Sequence, residues 1–150
     1  MDLIKNQYTY NLKNCQGGTA VHLSGDDYYT VIGFDPHDGS NQAWTFQQRD
    51  SDQNGWFIKS SHSGKYLGIK GSPQNGTTVV VGSDPFKWDV KESDVKRVEG
   101  IRILIHGTRF CSNLDGGKSA NHTKIHLWDS GGGASNIWAL TEQVSIEDQH

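Results

Sequence analysis

Three tryptophans dictate the shape of this chain. Trp44, Trp88 and Trp138 each close a polar turn and open a short apolar stretch, and they are separated by 44 and 50 residues. Each is preceded by the same outline: an apolar strand, Val31 to Phe34, Thr78 to Gly82 or Lys124 to Trp128, then a polar turn, then the tryptophan segment. A period of about a third of the chain, seen three times, means that three copies of one unit share a core. Boundaries fall at about 7–50, 51–97 and 98–142, with a polar tail over 143–150.

Within each copy the pattern is that of β-structure. Gln7 to Asn14 alternates bulky and polar residues, the period of a half-buried strand. Further strands of the first unit are expected over Ala20–Leu23, Tyr28–Phe34 and Ala43–Gln47. The second unit supplies Gly55–Ser60, Lys65–Ile69, Thr78–Gly82 and Lys87–Val90. The third supplies Gly100–Ile105, Arg109–Leu114, Lys124–Trp128 and Ile137–Thr141. Turns between them are marked by chemistry, as in Asp35-Pro36-His37-Asp38-Gly39 and the Asn54-Gly55 step. Val90 to Val98 is charged, has no apolar face of helical period, and reads as a connecting loop. Twelve short strands make an all-β fold, and because four strands cannot bury an apolar face alone, the three units must close on one another.

Composition narrows the function. The chain has 150 residues and a formal net charge of −3, with no basic run longer than two residues, so it lacks the cationic stripe of a nucleic-acid binder. No stretch approaches the roughly 20 apolar residues of a membrane span, and Met1 to Lys5 holds no apolar run of signal-peptide length, so residence in the cytosol without membrane insertion is expected. Cys15 and Cys111 fit that compartment as free thiols, a disulfide between first and last units being the alternative. The sequons Asn75-Gly76-Thr77 and Asn121-His122-Thr123 are read as turn residues rather than glycosylation sites. The seven histidines show no metal-ligand spacing, and no metal or other cofactor is expected.

The first unit closely resembles the opening repeat of fungal ricin B-like lectins. The likeness lies in Val21-His22-Leu23-Ser24-Gly25-Asp26, Val31-Ile32-Gly33-Phe34 and His37-Asp38-Gly39-Ser40-Asn41-Gln42-Ala43-Trp44. The GlnxTrp signature of that family stands intact as Gln42-Ala43-Trp44; it is Phe86-Lys87-Trp88 in the second unit and Asn136-Ile137-Trp138 in the third. What the resemblance implies is a β-trefoil of pseudo-threefold symmetry that binds galactose-type or N-acetylgalactosamine-type glycans, often as a homodimer and often in defence against animals that eat the fungus.

A galactoside presents a weakly apolar C–H face and hydroxyls of fixed direction, so its site needs an aromatic platform and a few rigid donors and acceptors. The first unit offers His22, Ser24, Gly25, Asp26, Phe34, His37, Gly39 and Asn41, with Phe34 or His37 as the platform and the Asn41 amide bonding two hydroxyls. His22 stands where the family pattern has an acid, so either the sugar preference has moved or Asp26 or Asp38 takes over the acceptor role. The third unit offers a second set: Asn113 at the acid position, Asp115, the Trp128 platform and Asn136, although Ser135 replaces the amide. Gly68 and Phe86 leave the second unit without a polar set, so it is read as structural.

The three unit-closing tryptophans are expected in the shared core, and Gln42 as a scaffold residue. The loop acids Asp26, Asp27, Asp35 and Asp38 are read as turn chemistry, not as a glycosidase pair, so no catalysis is expected. The competing function is a β-trefoil protease inhibitor presenting an exposed loop such as Lys70-Gly71-Ser72-Pro73.

Overall fold

The computed structural model describes residues 3–48 and 55–143. Asn54 of the expected Asn54-Gly55 turn and the tail from residue 144 lie outside the described residues. Among the described residues there are twelve strands: β1 (Tyr8–Asn14), β2 (Ala20–Leu23), β3 (Val31–Phe34), β4 (Trp44–Gln48), β5 (Gly55–Ser60), β6 (Tyr66–Ile69), β7 (Val79–Gly82), β8 (Trp88–Glu92), β9 (Ile101–Ile105), β10 (Phe110–Leu114), β11 (Thr123–Asp129) and β12 (Trp138–Glu142).

Six strands close a ring. β1 pairs with β4, β4 with β5, β5 with β8, β8 with β9, β9 with β12, and β12 returns to β1, all antiparallel. The other six form three hairpins, β2–β3, β6–β7 and β10–β11, one from each unit. The hairpins meet one another through β11–β3 pairing and the bridges Thr30 to Val80 and Thr78 to His126, which caps one end of the ring. This is the β-trefoil: a closed ring leaves no free edges there, as the repeat predicts.

Alternation turns one side of β1 inward, where Tyr10, Leu12 and Asn14 are buried between more exposed neighbours, while β9 is buried along its whole length. Trp44, Trp88 and Trp138 are fully buried, and each indole Nε1 donates to a carbonyl of its own unit's hairpin: Val21 at 3.0 Å, Leu67 at 2.8 Å and Ser112 at 3.1 Å. Ring and cap are thereby tied three times by one device, an apolar plate whose single donor is satisfied.

Several boundaries differ from the sequence expectation. The strand expected from Tyr28 begins at Val31, because Asp27 accepts at Oδ1 from the backbone N–H of both Tyr29 and Thr30 and holds Tyr28 at φ 52°, which turns the chain. The loop expected from Val90 begins only after Glu92, since Val90, Lys91 and Glu92 pair with Ile103, Arg102 and Ile101. Short 3-10 turns, unanticipated from sequence, span Ser40–Gln42, Asp115–Gly117 and Ala134–Asn136. Both sequon asparagines brace these hairpins: Asn75 Oδ1 accepts from the Asp129 N–H at 2.8 Å and Asn121 Oδ1 from the Asp35 N–H at 2.9 Å. Cys15 and Cys111 are free thiols.

Candidate functional site

The indole bonds fix which residues correspond. Val21, Leu67 and Ser112 accept from the three tryptophans, so the next residues, His22, Gly68 and Asn113, occupy equivalent places. Hairpin register extends the match: Val21 faces Gly33, Leu67 faces Val81 and Ser112 faces Leu127, which makes Phe34, Gly82 and Trp128 equivalent at the platform position. The residue two before each tryptophan is Gln42, Phe86 or Asn136. The second unit thus carries glycine at both the polar and the platform positions, and Phe86 lies against Gly68 at a distance that an added Cβ would meet at 3.5 Å.

In the first unit most of the expected residues meet, but in an arrangement tied up within the protein. His22 is 6% exposed and its ring stacks on Phe34, centroids 4.5 Å apart and planes inclined by 23°. Gln42 Oε1 accepts from the His37 N–H at 2.9 Å, so Gln42 Nε2 is the donor, to the Asp35 carbonyl at 2.8 Å and to His22 Nδ1 at 3.0 Å. Nδ1 is therefore the bare nitrogen and the ring proton sits on Nε2. That N–H lies 3.2 Å from Asn41 Nδ2, which donates to the Leu23 carbonyl at 3.3 Å. Two donors face each other there; an acceptor on a ligand, or the Asn41 oxygen after rotation of that amide, would satisfy them. Where the family pattern offers an acceptor, this unit offers an N–H.

The surroundings keep His22 neutral. Burial pushes its pKa down to about 4, and His37 and His122 add to the effect. His37 is exposed and its Nδ1 accepts from the Gly39 N–H at 2.9 Å, while Gly39 itself packs between His37 and Asn41. His122, which sequence reasoning missed, reaches over from the third unit to meet Phe34 edge-on at 5.4 Å. Ser24, Gly25 and Asp26 form the β2–β3 turn, where Ser24 Oγ accepts from the Asp26 N–H at 3.2 Å.

The third unit is open. A cleft of about 390 Å³ is lined by Asn113, Asp115, His126, Trp128, Ser135 and Asn136, with Asp129, Gly131 and Gly133 at its edge. Trp128 is 46% exposed, and its inner face rests on the buried His126 ring at 5.3 Å, which leaves the outer face as a platform. Asn113 is buried and donates from Nδ2 to Ser135 Oγ at 2.9 Å and to Asn136 Oδ1 at 2.5 Å. Both amide hydrogens are spent inside the protein, so the carbonyl oxygen is left as the acceptor, the role of the acid in the family pattern.

Asn136 belongs to the support: it also accepts from Cys111 Sγ at 3.4 Å. Ser135 is held from the first unit, where Asn14 Nδ2 donates to its carbonyl at 2.9 Å. Burial lowers the pKa of His126, a shift that Asp115 opposes. His126 and the Ser135 hydroxyl were not identified from sequence; the β10–β11 register is what puts His126 opposite Asn113. Among the described residues no group of three metal-ligating side chains is assembled. The Lys70–Pro73 loop is exposed, with the Ser72 carbonyl accepting from Thr77 Oγ1 at 2.7 Å.

The profile described as "Ricin-type beta-trefoil lectin domain-like" matches residues 3–82 and 40–128. A ricin B-like lectin of Macrolepiota procera, solved in complex with lactose, is 33% identical and superposes with a TM-score of 0.85, covering 91% of this chain and 96% of that one. The Rhizoctonia solani agglutinin is 23% identical with a TM-score of 0.81, covering 95% and 100%. A designed threefold-symmetric protein, ThreeFoil, is 19% identical with a TM-score of 0.78, covering 90% and 99%. No curated protein matched the chain at the sequence level.

Proposed function

The chain belongs to the family of ricin-type β-trefoil lectins, and from that premise we propose that it binds terminal galactose-type or N-acetylgalactosamine-type glycans without catalysing any reaction on them, chiefly through the cleft of the third unit. One observation carries this choice: an aromatic face open to solvent at Trp128 stands in one cleft with an amide oxygen, that of Asn113, whose own donors are already spent. The C–H face of a galactoside stacks on the indole while its hydroxyls donate to Asn113 Oδ1 and exchange hydrogen bonds with Ser135 and Asp115. The lactose complex of the Macrolepiota procera lectin supports the sugar class.

The first unit is a weaker, chemically altered site. His22 covers one face of Phe34 and presents a donor, so it suits a ligand that brings an acceptor.

A shallow site of this kind binds a monosaccharide at about millimolar Kd, roughly −4 kcal/mol. Working avidity then comes from a homodimer or from a second site on the same chain. A role in defence against animals that feed on the producing organism follows if such glycans line their gut, and a feeding assay with purified protein tests it. For binding, lactose titration followed by NMR separates the units. Trp128→Ala is expected to weaken lactose about 30-fold, the loss of about 2 kcal/mol of stacking, while Phe34→Ala and Asn41→Ala leave it within twofold. If Asn41→Ala abolishes binding and Trp128→Ala does not, the first unit is the site and the assignment fails.

A further inference from the structure

The Gly131-Gly132-Gly133 turn has a cleft on each side. One is the Trp128 cleft. The other, about 600 Å³, is lined by Lys91, Asp94, Lys96, Arg102, Thr108 and Arg109, with Gly131 common to both. Four cationic side chains and one carboxylate face this second cleft, in a chain whose formal net charge is −3.

Arg102 is the built element. It projects from β9 and is 6% exposed. Its Nε donates to Asp94 Oδ1 at 2.9 Å, and its Nη2 donates to the Gly131 carbonyl at 2.6 Å and lies 2.8 Å from the same Asp94 oxygen. Nη1 is buried and, among the described residues, has no hydrogen-bond partner within reach. A buried guanidinium with unspent N–H groups is a costly arrangement unless something else compensates its charge. Asp94 does so only in part, since its side chain is 74% exposed and only one of its oxygens is engaged. At the rim, Arg109 bonds Asp129 Oδ1 at 3.0 Å and the Ser130 carbonyl at 3.0 Å, and Asp129 lines the Trp128 cleft. One turn therefore joins the platform to a cationic cleft.

We propose that the second cleft receives an anionic substituent, a carboxylate or a sulfate ester, carried by a saccharide whose galactose-type residue is seated on Trp128. This rests on the reading of the Trp128 cleft as the sugar site. The neutral residue supplies the apolar face; the anion reaches across Gly131 and is held by the cations of the second cleft, through charge-assisted hydrogen bonds that a neutral hydroxyl cannot match. Because Lys91, Lys96 and Arg109 are exposed, part of the attraction is screened by salt.

The test is titration of the whole chain with lactose, with 3′- and 6′-sialyllactose, with 3′- and 6′-sulfolactose, and with sodium sulfate alone, each at low and near-physiological ionic strength. At least one anionic lactose is expected to bind about tenfold more tightly than lactose, the effect of one charge-assisted hydrogen bond, with the gain shrinking as salt rises. The sialyl and sulfo arms tell which anion the cleft takes. The double variant Lys91→Glu, Lys96→Glu changes exposed residues only, and is expected to remove that gain and leave lactose affinity within twofold; Arg102→Gln should do the same if it folds. Anionic and neutral lactose binding alike, or an undiminished gain in the double variant, overturns the proposal. If wild type binds no form of lactose while sulfate still shifts the Arg102 Nε resonance, the sugar assignment falls and the anion cleft stands.

Discussion

Acidification should weaken this fold in part through the His22 imidazole. His22 is held neutral with a pKa near 4 by burial and by His37 and His122, against an ordinary value of 6.5. Its protonation would also put a hydrogen on Nδ1, where Gln42 Nε2 already donates. The unfolded chain binds a proton at this histidine below 6.5 and the folded chain resists until about 4. Between those values the unfolded state holds more protons, so stability falls as pH falls. At 1.36 kcal/mol for each tenfold change in proton affinity, the loss between about pH 7.5 and about pH 4.5 is no more than about 3 kcal/mol.

The matched variant is His22→Asn, because Asn113 already occupies the equivalent place in the third unit. Urea unfolding of both proteins at both pH values isolates the imidazole together with its couplings to His37 and His122, since only residue 22 differs between the two. Wild type should lose about 2 to 3 kcal/mol more than the variant on acidification. Parallel stability curves, or an NMR titration that puts the His22 ring near 6.5, would refute the buried, Gln42-bonded imidazole.

Gly100→Ala should destabilise by about 3 kcal/mol or more, read as a lowered melting temperature: Gly100 sits at φ 146°, and an added Cβ would lie 2.5 Å from the Trp138 carbonyl oxygen, which is backbone and cannot give way. Phenylalanine in place of Trp44, Trp88 or Trp138 should cost about 2 kcal/mol each, from a cavity and an orphaned carbonyl; one near-neutral member would break the claim that the three do one job. Cys111, fully buried and with its thiol pushed up by burial, should react with a thiol reagent only on unfolding, whereas the half-buried Cys15 reacts earlier; equal native-state rates would contradict the packing.

The recurrence of Trp44, Trp88 and Trp138 was readable because a buried indole needs one acceptor in a fixed place, and three copies at one period demand three equivalent hairpins. Strand limits were less legible. Tyr28 and Tyr29 have the bulk of strand residues, yet Asp27, immediately before them, turns the chain, and a side-chain hydrogen bond of that kind leaves no periodic trace. Asp129 extends β11 by pairing with Phe110, and Asn75, more than fifty positions earlier, accepts its N–H.

The candidate residues show the same division. Asn113, Asp115 and Trp128 were legible by type, and so were His22, Phe34 and Asn41. Sequence ranked the first set below the second because only the first unit keeps GlnxTrp and its asparagine. Tertiary structure sets them apart physically. His22 lies flat on Phe34 and is bonded by Gln42, and His122 arrives from another unit. In the third unit, by contrast, Asn113 spends its donors inward and Trp128 stays open. The neighbouring cationic cleft needs Lys91, Arg102, Arg109 and Gly131 brought together from β8, β9 and the turns around β10 and β11. Periodicity and residue type determine which chain segments pair and which faces turn inward, because they act along the sequence. Which ring is covered, which proton is committed and which charge lacks a partner depend on groups far apart in the chain, and only their packing decides them.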